Sequence, residues 1–142
     1  MTIRVFVYGT LTDPARVHDV LALDATNRSS DDVFDGPAVL EGLHRIDGKY
    51  PTLVPGGHVE GRLLAVHDQD LERLDQYEGV ESSLYTRVSI PATGLEGPVD
   101  VYVGDPDRLG VTADYEWPAG DSFADRVQTA CEHEEIYVRH PE

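Results

Sequence analysis

The sequence is short of several things, and each shortage closes off a class of protein. Cys131 is the one cysteine among 142 residues, so no disulfide can form within the chain and a cysteine zinc site is excluded. Apolar runs fall well short of the ~20 residues that would span a bilayer. The N-terminal stretch carries no small-residue cleavage site of a secretory signal, and repeats and low-complexity segments are not visible. These features predict a cytoplasmic protein. Positive charge is scarce too: 11 basic residues face 27 acidic ones for a formal net charge of −16, and Lys49 is the single lysine. The carboxylates are spread along the whole chain. Such a charge repels itself in dilute salt, and at about 1 M salt the screening length falls to roughly 3 Å. The pattern resembles that of cytoplasmic proteins of halophilic organisms. It argues against nucleic acid or an anionic membrane as partner.

What is present describes a globular domain. Hydrophobic residues make up 40% and charged residues 27% of the chain, and the length suits one domain, residues 1–142, with a core of its own. Near the start, Ile3, Val5 and Val7 alternate with Arg4 and Phe6 and predict a strand. Asp13 followed by Pro14 reads as an N-cap and first helical residue, with a helix continuing to about Leu23. "DATNRSSDD" reads as a polar loop. "FDGPAVLEGLHRI" predicts a strand interrupted at Gly36-Pro37, and "DGKYPTLVPGG" a turn-rich segment in which Pro51 and Pro55 bracket Thr52-Leu53-Val54. "HVEGRLLAVH" predicts a strand. Asp68 can cap the helix "QDLERLDQY", with Leu71, Leu74 and Tyr77 on one face and Gly79 as its stop. "SLYTRVSIP" and "VDVYVGD" read as a hairpin, and "PDRLGVTADYEWPAG" as a long irregular stretch. "DSFADRVQTACEHE" predicts a closing helix with Phe123, Val127 and Ala130 on one face. The fold class expected is α+β: a small mixed β-barrel or strongly curved sheet with flanking helices.

Few residues stand out for chemistry. Gly9 lies at a tight strand-to-helix junction, where backbone N–H groups can converge on an anion or oxyanion; it can equally be no more than a turn. Glu78 ends the helix "LERLDQYEGV" between Tyr77 and, past Gly79, Val80. Such apolar neighbours raise a carboxyl pKa, although Glu78 can also be one more solvated acid in an acidic chain. The six histidines, His18, His44, His58, His67, His133 and His140, show no metal-ligand spacing, and they read as surface or packing residues. Cys131 reads as a small core residue. Ser82 and Ser83 lack a nucleophile elbow, and Gly9, Gly56 and Gly57 form no phosphate-binding fingerprint. The aromatics Tyr8, Tyr50, Tyr77, Tyr85, Tyr102 and Trp117 read as core or pocket wall.

Taken in order, "VFVYGTL", "YPTLVPG", "VEGRLLAV", "LERLDQYEGV", "LYTRVSI" and "VDVYVGD" resemble the γ-glutamyl cyclotransferase-like family, which includes γ-glutamylamine cyclotransferases and AIG2-like proteins. The resemblance covers about residues 3–104; beyond it, "EWPAGDSF" resembles a loop near the active site of some members. It implies a small β-barrel with flanking helices. It also implies that the segment Tyr8, Gly9, Thr10 and Leu11 binds the γ-glutamyl group and that Glu78 is the catalytic acid/base. Tyr85 is a further candidate for substrate contact. Arg87 can pair with the substrate α-carboxylate or, alternatively, brace an internal acid such as Asp75.

The implied reaction suits what the chain lacks. A γ-glutamyl amide carries its own nucleophile, the α-amine, which closes a five-membered lactam, 5-oxoproline, and expels an amine or amino acid. The protein must then fold the substrate and move protons, with no cofactor or metal. The partner implied is a small γ-glutamyl substrate, for a monomer or a dimer. The alternative is a non-catalytic small-molecule binding module on the same fold.

Overall fold

The computed structural model describes residues 3–46, 52–79, 84–94, 97–105, 117, 120–133 and 136–139. Six strands form one sheet: β1 (Ile3–Val7), β2 (Phe34–Ile46), β3 (Thr52–Val66), β4 (Tyr85–Ile90), β5 (Val99–Gly104) and β6 (Tyr137–Arg139). Their spatial order is β4-β5-β1-β3-β2-β6. The β1/β5 pair is parallel, with Val5 opposite Asp100 and Phe6 opposite Val101, and the other pairs are antiparallel. The sheet curls until its two edges meet. Just beyond β4, Pro91 O accepts the Val138 N–H at 2.9 Å, and Val138 O accepts the Thr93 N–H at 2.8 Å. The architecture is the expected α+β curved sheet with flanking helices.

Period-2 alternation in the strands sends side chains to two cores. Phe6, Leu40, Leu63, Val88, Ile90, Val101 and Val103 join Val127, Ala130 and Cys131 of the helix α4 (Phe123–His133). Val5, Val7, Leu64 and Val66 face the opposite way, against Val17 of α1 (Pro14–Val20), Val33 of α2 (Ser30–Val33) and Leu71 and Leu74 of α3 (Asp68–Glu78). Cys131 is thus a core residue, as its neighbours in sequence predict. Gly61 on β3 lies where β1 comes closest: a Cβ there would stand 2.2 Å from Val7 O and 2.7 Å from the Phe6 ring.

Local readings differ from the structure at several points. The α1 helix stops at Val20 rather than Leu23, because Leu21 caps it and Ala22 enters the left-handed region at φ 50°. The "DATNRSSDD" segment is not plain loop. It holds a 3-10 turn, Leu23–Thr26, and α2, which Ser29 starts by donating its N–H to Asp32 Oδ2 at 2.8 Å. Proline and glycine at 55–57 do not break the chain into turns; β3 runs through them from Thr52. Pro55 pairs with Leu43 next to a register shift between Glu41 and Leu43, and a bulge is where a strand tolerates a residue with no N–H to give. The interruption expected at Gly36-Pro37 is a second such shift, between Phe34 and Pro37. Asp68 is the first helical residue of α3, not its cap; the cap is His67, whose N–H donates to Asp70 Oδ2 at 3.0 Å. The irregular stretch 106–116 lies outside the described residues. The short β6, which pairs Val138 with Leu40, has no counterpart among the sequence expectations.

Candidate active site

The segment Tyr8–Thr12 leaves β1 and turns at once into the 3-10 turn Thr10–Thr12. Gly9 O accepts the Thr12 N–H at 3.0 Å and the Thr12 hydroxyl at 2.7 Å. The amides that open a helical turn have no acceptor within it, so the N–H groups of Thr10 and Leu11 start the turn without a partner of that kind. Two arginines fix the segment at its ends. Arg45 of β2 donates to Tyr8 O at 2.8 Å, and Arg62 of β3 donates to Thr12 O at 3.2 Å while its guanidinium lies 4.0 Å over the Phe34 ring. Leu11 is buried and anchors the turn against α1 and β3. Gly9 is half-buried and does not belong to the left-handed glycines of the described residues.

Glu78 is the last residue of α3, and Gly79 closes the helix in the left-handed conformation at φ 71°. At 3.6 residues per turn, a residue seven after Leu71 and four after Leu74 falls on their face. Leu71 and Leu74 are buried against the sheet, so helical geometry turns the Glu78 carboxyl inward with them. Burial raises its pKa to about 7. Helix periodicity, then, rather than the flanking Tyr77 and Val80, places this carboxyl in an apolar setting: Tyr77 is 38% exposed, off the face expected for it, and Val80 lies outside the described residues.

Tyr8 lies within electrostatic reach of this carboxyl. Its phenol is buried and donates to Tyr102 O at 2.7 Å. Its pKa is pushed up, first by burial and then by Tyr85 and Glu78. Tyr8, Tyr85 and Glu78, named separately from sequence, are therefore brought within electrostatic reach of one another. Tyr85 is buried on β4, in the core that faces α3.

Arg87, two residues along the same face of β4, is held by acids of the protein. Its Nε lies 3.0 Å from Asp75 Oδ1 and its Nη1 3.1 Å from Asp100 Oδ2. Of the two roles open to it in the sequence, bracing Asp75 is the one the geometry displays. Tyr102 was legible only as an aromatic wall. Its phenol donates to Asp75 Oδ1 at 2.5 Å, and its pKa is raised, first by burial and then by this bond to Asp75. The alternation of β5 signals that Tyr102 and Asp100 share a face. Nothing in the spacing of the sequence signals that α3 packs on that face. Among the described residues, no group of three or more histidine, cysteine, aspartate or glutamate side chains is arranged to hold a metal ion.

The family described as Gamma-glutamyl cyclotransferase, AIG2-like matches residues 5–121. A protein of Arabidopsis thaliana carrying the provisional name gamma-glutamylcyclotransferase is 32% identical over 108 residues, 67% of this chain and 54% of its own length. The chain thus spans about half the length of that curated relative. An AIG2-like protein of Mus musculus has a similar fold, with a TM-score of 0.56 at 25% identity over 87% of this chain and 92% of that one. A solved structure titled gamma-glutamyl cyclotransferase superposes with a TM-score of 0.59 at 15% identity, over 91% of this chain and 99% of that one.

Proposed function

The chain belongs to the gamma-glutamyl cyclotransferase, AIG2-like family, and from that premise we propose that it converts a γ-glutamyl amide into 5-oxoproline and a free amine or amino acid. The observation that carries this reading is Glu78: a carboxyl on the buried face of α3, within electrostatic reach of Tyr8, with a pKa of about 7. A group titrating near neutrality holds both of its protonation states in useful amounts, which is what one residue needs to act first as base and then as acid.

The reaction requires little else of the protein. The substrate's α-nitrogen attacks its own γ-glutamyl carbonyl carbon, a C–N bond forms to close the lactam, and the amide C–N bond breaks. The α-ammonium gives up two protons overall, and the departing nitrogen takes up two as it leaves as an ammonium ion. Glu78 carries them between the two nitrogens. Holding the extended substrate in the ring-closing shape is the larger part of the rate gain, because well-oriented intramolecular reactions reach effective molarities of about 10⁵–10⁸ M. The segment Tyr8 to Leu11 supplies a fixed wall for that task, and its turn-opening amides are donors for the oxyanion that forms on the carbonyl.

The test is incubation of the purified protein with a panel of γ-glutamyl amines and γ-glutamyl dipeptides in high salt, with 5-oxoproline as the readout. Formation of 5-oxoproline from any member supports the reading. Tight binding of γ-glutamyl compounds without turnover would replace it with that of a small-molecule binding module.

A further inference from the structure

Tyr102 of β5 holds one half of the site at each of its ends. Its backbone carbonyl accepts the Tyr8 hydroxyl at 2.7 Å, and its own hydroxyl donates to Asp75 at 2.5 Å. Asp75 lies one turn before Glu78 on α3. Its Oδ1 is also 3.0 Å from Arg87 Nε, and Arg87 is tied in turn to Asp100 on β5. We propose that Tyr102 is a positioning residue: through its bond to Asp75 it holds the last turn of α3 at a fixed distance from Tyr8, and so sets where the Glu78 carboxyl stands.

Helix ends fray, and the last turn of a helix is its least secured part. The body of α3 is fastened without Tyr102: Leu71 and Leu74 are buried, and Arg28 makes two hydrogen bonds to Asp70 in the first turn. In the last turn Asp75 is bonded to the sheet, by Tyr102 and by Arg87. A hydroxyl–carboxylate hydrogen bond of this length belongs to the strong, charge-assisted kind. Tyr102 is 3% exposed, so water does not replace the bond at low cost once it is lost. The phenol stays protonated, and hence a donor, well beyond neutrality. Without that bond Arg87, itself partly exposed, is left to hold Asp75 from the sheet, and the last turn can shift outward and admit water to Glu78.

The inference rests on the reading of Glu78 given under Proposed function, so its test needs a readout that does not depend on turnover. Tyr102→Phe removes the hydroxyl and leaves the ring and the backbone carbonyl. Two quantities are measured: kcat and KM for 5-oxoproline formation, and the titration midpoint of the Glu78 carboxyl carbon followed by NMR. The expected result is a fall in kcat of roughly 10- to 100-fold, the scale of a misplacement of about 1 Å, with KM little changed. The Glu78 midpoint should drop from about 7 toward the ordinary carboxylate value of 4.5, while the thermal midpoint falls by no more than the loss of one buried hydrogen bond explains. Asp75→Asn, which keeps an acceptor oxygen, should retain more activity than Asp75→Ala, and Tyr102→Phe combined with Asp75→Ala should be no worse than Asp75→Ala alone. An unchanged Glu78 midpoint in Tyr102→Phe overturns the positioning role, and so does a loss confined to KM. If the wild type forms no 5-oxoproline but its Glu78 midpoint still moves on the substitution, the positioning role stands and the proposed reaction falls. If Tyr102→Phe does not fold, equal kcat and equal Glu78 midpoints in Asp75→Asn and Asp75→Ala overturn the role.

Discussion

Arg28 grips Asp70 with two parallel hydrogen bonds, Nη1 to Oδ2 at 2.8 Å and Nη2 to Oδ1 at 2.7 Å. Asp70 is almost wholly buried, and it also accepts the His67 N–H at the start of α3. One carboxylate therefore joins the segment before α2 to the helix that carries Glu78. The guanidinium bond is the main reason its pKa is lowered, with the His67 amide adding to it.

Removing the arginine should leave that charge buried without its partner. Arg28→Ala is expected to cost about 1–3 kcal/mol, below the full scale for breaking a buried pair because the guanidinium is partly exposed. Arg28→Lys should recover only part of it, since a lysine cannot make the two-pronged contact. The pH dependence has a definite sign. A depressed folded-state pKa contributes stability above the unfolded value of 3.8, and that stability is lost as pH falls through the folded pKa. Urea denaturation from neutrality down to pH ~3 should show a steep acid limb in the wild type and a shallower one in Arg28→Ala; equal slopes would remove Asp70 from the acid response.

Gly61 offers a second, sterically defined test. An added Cβ meets Val7 O at 2.2 Å and Phe6 ring carbons at 2.7 and 3.0 Å. The first of these is backbone in the strand that leads directly into Tyr8, so the strain cannot be relieved by a rotamer change alone. Gly61→Ala should lower stability by about 1–3 kcal/mol, the scale for overpacking a close contact. It should also weaken γ-glutamyl ligand affinity, because β1 carries the binding segment at its end. Gly97→Ala is the matching control: there is open space at its Cβ, but its φ of 86° is strained for alanine. A loss of stability with no loss of affinity is therefore expected there. Chemical denaturation and ligand titration on both variants separate the two effects.

Much of this arrangement was legible in the sequence, and the exceptions have physical causes. The strands and long helices announce themselves through periodicity, and α3 and α4 fall close to where the apolar spacing puts them. Tyr8, Tyr85 and Glu78, each singled out in the sequence, lie within electrostatic reach of one another. What sequence does not carry is contact between elements far apart in the chain. The parallel β1/β5 pairing brings Tyr102 beside Tyr8 across 94 positions, and no local pattern encodes it. The reading of Tyr77 as a buried residue fails for a smaller reason. It stands three residues past Leu74, a spacing that by itself looks helical, but the face set jointly by Leu71 and Leu74 continues at Glu78. A polar residue on that face was the stronger signal, and it lay in the same eleven residues of α3.

The charge of −16 makes a prediction about solvent rather than chemistry. Carboxylates spread over the surface repel one another across the ~30 Å screening length of 0.01 M salt, and far less across the ~3 Å of 1 M salt. The thermal midpoint should climb as salt is raised over that range. The Arg28–Asp70 pair, with its carboxylate buried and its guanidinium partly exposed, is screened less than the surface charges, so the gap in stability between wild type and Arg28→Ala should change much less with salt than the thermal midpoint does. A thermal midpoint that is flat in salt would refute the repulsion argument, and a gap that closes would place the pair in solvent.

Glu78→Gln tests the centre of the proposed reaction. The substitution keeps the size and the hydrogen-bonding capacity of the side chain and removes its ability to exchange a proton. The rate of 5-oxoproline formation should fall by about 10²–10⁴, the usual yield of a positioned acid–base group. Affinity for γ-glutamyl ligands should survive, because the segment Tyr8 to Leu11 is braced by Arg45 and Arg62 and not by Glu78. Stability provides an independent check with its own sign. The folded-state pKa of Glu78, about 7, lies above the unfolded value of 4.5. Below both values the carboxyl is neutral in either state and costs nothing. As pH rises from the lower value to the higher one, the unfolded chain ionises more readily and the native state loses stability, after which the cost stays constant. Glu78→Gln should therefore match the wild type in acid and become the more stable protein as pH passes through that window. In the wild type, kcat should vary with pH around the same midpoint near 7. Glu81, three residues further on and without a motif role, serves as the control, and Glu81→Gln should change neither quantity. Normal turnover by Glu78→Gln, or an equal loss in both variants, would mean that the proton is carried by another group.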